Sequence, residues 1–338
     1  MKCVSKYSLM ALLLITATVC RAGEIPVKKG PVNGIFYQPW QADLSLTRTD
    51  WERRMAGLRQ DGLDTLYLQW LRHGEIDFLN ARLKTGQPFI QVLLDAADSQ
   101  GIGIYMGLFS DPGFFDALNL TTRELDGYLL KLREKNLQLA KEFQARYGGH
   151  PAFRGWYLPE EIDDLNWQSA PRRKILEYHM HHQGDALKSL GCEKPVAFST
   201  FFSGALTPEE FAQFCRQLLE GSDHFLLVQD GLGGRMDIAT TRRYHASLRR
   251  IVGKQDRLCW IVELFDDELP GPAFSGKAIE PLQLNQRLAI VHKEFKGKRL
   301  VLFSLRYWLD KKDRLSQHYR RRFQNPVREE PAKPTHDH

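Results

Sequence analysis

The stretch Phe153-Arg154-Gly155-Trp156-Tyr157-Leu158-Pro159-Glu160-Glu161-Ile162-Asp163 is an apolar, aromatic run that ends in three carboxylates within four residues. A short apolar run of this kind predicts a buried strand. Carboxylates at the end of such a strand are costly to bury unless they are paired or functional. A second run, LCWIVELFDD at residues 258–267, has the same design. Two carboxylate-tipped strands far apart in the sequence indicate one shared site, whereas a solvated loop is the ordinary alternative for either one alone.

Strand-like apolar runs alternate with helical segments along the whole chain. We predict strands at residues 34–40, 65–70, 103–109, 153–163, 195–202, 224–229, 258–263 and 299–304. Strands that alternate with helices pair in parallel, and eight such units predict a single-domain α/β protein, a (β/α)8 TIM barrel. A doubly wound sheet would need a nucleotide-binding glycine fingerprint after an early strand. The sequence GLGG at residues 231–234 comes too late and has the wrong spacing for that fingerprint.

The first 22 residues have the features of a secretory signal peptide. Lys2 and Lys6 precede an apolar run at residues 9–19, which is too short to span a bilayer. We expect cleavage after Ala22 and a periplasmic or secreted protein with no stable membrane anchor. Lipidation at Cys20 and a retained anchor are the alternatives. The barrel domain then covers residues 23–325, and the polar tail at residues 326–338 is expected to be disordered.

The charge and the cysteines exclude several classes of protein. The formal net charge is +6, and +3 remains once the three basic residues of the signal segment are removed. Such a weak basic balance gives no indication of nucleic-acid binding, so no nucleic-acid partner is expected. The three remaining cysteines, Cys192, Cys215 and Cys259, form neither a disulfide framework nor a zinc spacing, and at most one bridge is possible. No cofactor is predicted.

The carboxyl ends of barrel strands converge on one mouth, where active sites of this fold lie. In this chain the strand ends carry aromatic, amide and acidic side chains. These suit a sugar, because sugar rings stack on aromatic side chains and sugar hydroxyls form hydrogen bonds with polar groups. We therefore expect a polysaccharide or oligosaccharide as partner. The predicted substrate-binding residues are Gln38, Trp40, Gln69, Trp70, Asp111, Glu160, Asp163 and Tyr307.

Glycosidic cleavage requires two carboxyl groups on either side of the scissile bond. Strands four and seven lie across the predicted mouth from each other, so Glu161 and Glu263 are the predicted catalytic pair. Asp230, after strand six, is the alternative second carboxyl. Glu160 or Asp163 would raise the pKa of the acid by repulsion between like charges.

Five segments, at residues 34–40, 68–70, 155–163, 229–231 and 263–265, together resemble a bacterial family catalogued as domain of unknown function 4434. The resemblance spans most of residues 30–310 and implies a glycosidase-like barrel in which the Glu before Ile-Asp, Glu161, is favoured. A wider similarity to retaining glycosidases implies an acid/base after strand four and a nucleophile after strand seven. Those enzymes usually carry Asn where this chain has Glu160, so the roles and the stereochemical outcome stay open.

Two other functions stay open from the sequence. One is a non-catalytic glycan-binding barrel in envelope polysaccharide biogenesis. The other is a metal-dependent hydrolase using His73, Asp111 and Asp230, which the absence of a tight His/Asp motif disfavours. The histidines at positions 179, 181 and 182 lack the spacing of a zinc helix and are predicted to face solvent.

Overall fold

Eight parallel strands form a closed barrel in the computed structural model, which describes residues 30–191, 193–234, 236–252, 257–267, 276–294, 299–309 and 313–324. The barrel strands are β1 (Val32–Tyr37), β2 (Thr65–Leu68), β3 (Gly103–Gly107), β4 (Phe153–Ile162), β5 (Val196–Thr200), β6 (Phe225–Gln229), β7 (Leu258–Glu263) and β8 (Arg299–Phe303). β1 pairs with both β2 and β8, which closes the ring. The predicted (β/α)8 barrel is confirmed. The signal segment, Cys192 and the tail lie outside the described residues.

Helices surround the strands in an outer layer. They are α1 (Arg48–Gln60), α2 (Phe89–Asp98), α3 (Thr122–Tyr147), α4 (Ala170–Lys188), α5 (Pro208–Leu219), α6 (Ile238–Ile251), α7 (Pro281–Glu294) and α8 (Arg314–Tyr319). Shorter helical turns cover Gln41–Ser45, Phe114–Ala117, Leu305–Trp308 and Arg320–Gln324. Capping boxes begin α1, α3 and α5, where Thr47, Thr121 and Thr207 accept from a backbone N–H three residues on. No helix within the described ranges has the length and apolar character needed to cross a membrane.

Two small sheets lie in the loops at the carboxyl end of the barrel. Arg72–His73 pairs with Ile76–Asp77 and with Phe109–Ser110. Phe265–Asp267 pairs antiparallel with Gly276–Ala278. These strands are two or three residues long, too short for an alternating pattern to predict their pairing.

The side chains that point into the barrel form two layers. Side chains alternate along a strand, so every second residue points inward. The lower layer is aromatic on β1 to β4 and aliphatic on β5 to β8. The rings of Phe36 and Tyr67 lie 5.1 Å apart, those of Tyr67 and Tyr105 lie 4.9 Å apart, and Tyr157 packs against Phe36. Two residues further on, most strands carry a polar group at the inner position, namely Gln38, Gln69, Ser199, Gln229 and Glu263. The barrel mouth therefore has an aromatic and aliphatic floor beneath a polar layer.

A buried carboxylate ties the end of the chain to the outer helix layer. Asp61 follows α1 and has no exposed surface. It accepts hydrogen bonds from Trp308 Nε1 at 2.9 Å and from Ser316 Oγ at 3.1 Å, and it pairs with Arg320. The segment after β8 is thus anchored to α1 by charged and polar contacts.

Candidate active site

A bulge in β4 separates two adjacent glutamates. Leu158 pairs with Phe198 and Glu161 pairs with the next residue of β5, Ser199, so Pro159 and Glu160 are additional residues in β4. Such a bulge changes the direction of the side chains that follow it. Glu161 is half-buried and points into the mouth, whereas one oxygen of Glu160 points toward α3 and α4.

Two adjoining cavities occupy the mouth. The large cavity has a volume of about 520 Å³ and the small cavity about 240 Å³. The large cavity is lined by Gln38, Glu161, Phe201, Phe202, Ser203, Gln229, Gly231, Gly234, Met236, Glu263, Phe265, Phe303 and Tyr307. The small cavity is lined by Gln38, Gln69, Trp70, His73, Phe109, Ser110, Asp111, Pro112, Phe114, Phe115, Leu132, Pro159, Glu160 and Glu161. Gln38 and Glu161 line both cavities, so the glutamate stands at their junction.

A third cavity, at the amino ends of the barrel strands, is similar in size to the large cavity but is lined by different types of side chain. Its volume is about 550 Å³, and Asp64 is the one carboxylate among its lining residues within the described part of the chain. Arg59 and Arg154 also line it. Paired carboxyl chemistry therefore belongs to the mouth at the other end.

Burial raises the pKa of Glu161 to about 7. Removing a carboxylate from water disfavours its charged form, so a large share of Glu161 is a neutral acid at neutral pH. Beneath it, the hydroxyl of Tyr157 forms a hydrogen bond of 2.8 Å with Ser199 Oγ. A neutral carboxylic acid that faces a cavity can donate a proton to a ligand there.

Glu263 and Asp230 form a buried carboxyl pair on neighbouring strands. Glu263 is 3% exposed and lines the large cavity, and its Oε2 accepts a hydrogen bond of 2.6 Å from the N–H of Gly233. Asp230 has no exposed surface and accepts from the N–H of Leu232 at 3.0 Å. Burial, followed by the charge of Asp230, raises the pKa of Glu263 well above its usual value. Glu263 is the member of this pair that lines the cavity.

Arg287 fixes the end of β7. Its buried guanidinium donates through Nη1 to the carbonyl of Glu263 at 2.6 Å and to that of Phe265 at 3.0 Å. The same side chain pairs with Asp266. These contacts hold the backbone on both sides of the cavity carboxyl, a role for which the sequence around position 287 carries no signal.

Glu160 takes part in a chain of hydrogen bonds that reaches the helix layer. Its Oε1 accepts from Asn136 Nδ2 at 3.3 Å and lies 3.3 Å from His179 Nε2. Arg133 Nη1 lies 3.3 Å from the other ring nitrogen, His179 Nδ1. Because an arginine can only donate, Nδ1 accepts and Nε2 carries the proton that is donated to Glu160. The prediction that His179 faces solvent is wrong: α3 packs against α4 and buries the ring completely.

Asp163 does not line either cavity. It is 2% exposed, and its Oδ1 accepts from the N–H groups of Leu165 and Asn166 at 2.7 and 2.6 Å. Its Oδ2 accepts from Asn166 Nδ2 at 2.7 Å. These bonds fix the loop after β4, and the structure does not bring Asp163 together with the predicted substrate-binding residues.

The aromatic residues predicted to bind substrate occupy different depths. Trp70 is 6% exposed and stacks on His73, with 4.6 Å between the ring centres. Trp40 is 46% exposed, lies edge-on to Trp70 and lines a neighbouring cavity at the rim. Tyr307 lines the large cavity next to Phe265, at 5.7 Å between ring centres. Trp40 is accessible to an extended ligand at the protein surface, whereas Trp70 is part of the wall of the small cavity.

The three residues of the metal-dependent alternative are not brought together. His73 and Asp111 line the small cavity, but Asp230 lies behind Glu263 at the large one. Within the described ranges, no group of three or more His, Cys, Asp or Glu side chains has the arrangement of a metal site.

Several lining residues could not be chosen from the sequence. Phe202 and Phe265 reach the large cavity from loops, and Phe303 reaches it from the end of β8. The alternation of inward positions along β8 was the one available signal for Phe303, which lies two residues after the inward-pointing Val301.

Comparison with known proteins identifies the family. The model of a family described as Domain of unknown function (DUF4434) matches residues 32–313. The chain belongs to the DUF4434 family. This DUF4434 protein is 32% identical over 284 residues to the uncharacterized protein YbcH of Escherichia coli (strain K12), which covers 82% of this chain and 90% of the relative. The family resemblance inferred from the sequence is confirmed.

A solved structure shows the same fold at low sequence identity. It is a protein of Bacteroides thetaiotaomicron VPI-5482 described as a candidate alpha-L-fucosidase. The TM-score is 0.69 at 17% identity, and the match covers 95% of this DUF4434 chain and 99% of the other. The similarity shows a shared barrel.

Proposed function

We propose that this protein is a glycoside hydrolase that acts on a polysaccharide or oligosaccharide in the periplasm or outside the cell. The observation that carries the proposal is that Glu161 of β4 and Glu263 of β7 both line the large cavity. The two carboxyl groups have different surroundings there. The shared fold with a protein described as a candidate fucosidase supports it. The signal-like segment at residues 1–22 supports the location.

Glu161 is the general acid in this proposal. Its raised pKa, about 7, keeps a proton available at neutral pH. That proton passes to the glycosidic oxygen as the bond from this oxygen to the anomeric carbon breaks. Water supplies the hydroxyl group of the new reducing end. Its remaining proton returns to Glu161 if Glu263 attacks the anomeric carbon, and passes to Glu263 if Glu263 directs the water. The reaction is thus balanced without a cofactor.

Glu263 is the second carboxyl. It faces the cavity, whereas Asp230 lies behind it, outside the cavity lining, and raises its pKa. The N–H of Gly233 stabilises negative charge on Oε2 of Glu263. In its ionised form, Glu263 either attacks the anomeric carbon or directs the water that does so. The proposal includes both routes.

The test is release of reducing ends by residues 23–338 from a panel of bacterial and plant polysaccharides. We expect Glu161→Gln and Glu263→Gln each to lose roughly 10²–10⁴-fold in rate. Glu134→Gln, which changes an exposed glutamate on α3, is the matched control and should keep full activity. Normal turnover by both cavity variants would refute the proposal. Polysaccharide binding without release by any of the proteins would favour the glycan-binding barrel instead.

The proposed location has its own test. Fractionation of cells that produce the full chain should recover a shortened protein that begins near Gly23 in the periplasm or the medium. Recovery of the full-length chain in the cytoplasm would contradict the location and leave the enzymatic proposal untouched.

A further inference from the structure

Three residues that line the small cavity each carry a buried polar atom with no hydrogen-bond partner among the described residues. Oε2 of Glu160, Oε1 of Gln69 and Nε1 of Trp70 are all in this state. The three residues are 5%, 4% and 6% exposed, and all line the cavity. Burying polar atoms without partners is unfavourable, so a site of this kind is built to be completed by a ligand.

The charge of the cavity wall selects the kind of ligand. Asp111, Glu160 and Glu161 line it, and no lysine or arginine of the described chain does. Lys135 and Arg133 on the nearby helix contact the ring of Phe109 and His179 instead. Asp111 and Glu160 therefore give the wall negative charge and acceptor oxygens, which attract cationic groups rich in hydrogen-bond donors and repel carboxylates, sulfates and phosphates.

The hydrogen-bond chain behind Glu160 fixes the acceptor in place. Asn136 and His179 both contact Oε1, which leaves Oε2 as the unpartnered oxygen. Asn136 Oδ1 also accepts from the N–H of Phe109 at 2.9 Å, so the carboxylate is tied to the end of β3 as well. A carboxylate held on one oxygen and open on the other is arranged to receive one charge-assisted hydrogen bond.

We propose that the small cavity is a subsite for a sugar ring bearing a free, protonated amino group, which donates to Oε2 of Glu160 and lies near Asp111. This inference rests on the proposed function in taking the ligand to be a sugar. Trp70 and the amide of Gln69 would complete the hydrogen bonds of the ring hydroxyls. Because Glu161 lines both cavities, the bond to be cleaved would lie next to the amino sugar.

The test compares three monosaccharides that differ at one position: glucosamine, glucose and N-acetylglucosamine. Binding is followed by NMR at the indole N–H of Trp70, assigned with Trp70→Phe, in the Glu161→Gln background so that no turnover intervenes. We expect glucosamine to bind about tenfold more tightly than the other two sugars, the size of one charge-assisted hydrogen bond. Glu160→Gln should remove this preference, and Glu134→Gln should keep it.

Asp111→Asn is the second variant, because Glu160 belongs to a buried network and its replacement can disturb folding. It should reduce the preference for glucosamine while circular dichroism stays unchanged. Equal affinity for the three sugars, or no response to glucosamine, would overturn the subsite. Such a result would leave the hydrolase proposal standing if reducing-end release still depends on Glu161. Loss of that dependence together with a preserved glucosamine preference would instead leave a binding site without catalysis.

Discussion

The backbone N–H of Gly233 donates to Oε2 of Glu263 over 2.6 Å. A Cβ atom at position 233 would lie 2.8 Å from that oxygen and 2.7 Å from a ring carbon of Phe265. Both distances are too short for ordinary packing, so a side chain here displaces the carboxyl group. The glycine is therefore required by the position of the cavity carboxylate.

Gly233→Ala should lower kcat about 100-fold, because Glu263 loses both its position and a hydrogen bond to its charged form. Gly234→Ala is the neighbouring control: its added Cβ has its closest contact at 3.6 Å, and the variant should retain most of the activity. Steady-state kinetics on the active polysaccharide measures both variants. Equal losses in the two would show that the loop, and not the carboxyl group, is affected.

The rate should fall as the pH rises through about 7, the pKa of Glu161. The protonated form is the proposed acid, so kcat/KM should decline by about tenfold per pH unit well above this value. A pH profile of kcat/KM measures the alkaline limb. If the alkaline limb is unchanged in Asp230→Asn but absent from the residual activity of Glu161→Gln, the limb reports the titration of Glu161. A flat wild-type profile between pH 6 and 9 would contradict this assignment.

Stability should respond to the same group. The pKa of Glu161 is about 7 in the folded protein, above its ordinary value of 4.5, so the folded state binds more protons than the unfolded state between these two pH values. The free energy of unfolding should therefore decrease as the pH rises from about 4.5 to 7, by about 3 kcal/mol for this group. Urea unfolding at several pH values in this range measures the difference in the free energy of unfolding between wild type and Glu161→Gln. A difference that does not change with pH would contradict the prediction.

Replacing Trp40 should affect polysaccharide binding alone, whereas replacing Trp70 should affect both binding and folding stability. Trp40 is 46% exposed, so Trp40→Ala should weaken polysaccharide binding about tenfold and leave the melting temperature unchanged. Trp70 is 6% exposed and stacks on His73, so Trp70→Ala should also cost about 3 kcal/mol of folding free energy. Calorimetric titration and thermal unfolding give the two quantities. Unchanged binding in Trp40→Ala would remove the rim from the substrate path.

Asp61→Ala should destabilise the fold by about 3 kcal/mol, because Trp308 Nε1 and Ser316 Oγ lose their acceptor and Arg320 loses its partner. Asp61→Asn keeps an acceptor oxygen and should cost less. Urea unfolding measures both variants. An equal and small effect of the two would mean that the segment after β8 is held by its apolar contacts alone.

The strands were predictable from the sequence because burial on both sides of a parallel sheet demands apolar runs. β7 is the clearest case, since all six of its residues are buried. Their position at the carboxyl ends of two predicted strands also placed Glu263 and Gln229 at the mouth. The family resemblance added the choice of Glu161 over its neighbour.

The environments of individual groups were not predictable. The burial of His179 depends on α3, which lies about 40 residues earlier in the chain and packs against the helix that carries this histidine. Without this contact the ring would be exposed to solvent. Asp163 looked like Glu160 in the sequence, but local N–H groups occupy its carboxylate. Phe202 and Phe265 reach the cavity through loop conformations that no periodic pattern encodes.

The bulge in β4 makes recognition and chemistry separable. Leu158 and Glu161 pair with consecutive residues of β5, so the strand would remain in phase if Pro159 and Glu160 were absent. The proposed acid belongs to the regular ladder, while the proposed recognition carboxylate belongs to the insertion. A two-residue change in chain length at this one point can therefore alter which sugar is accepted without moving the group that cleaves it, which makes this strand a natural place for substrate preference to diverge within the barrel.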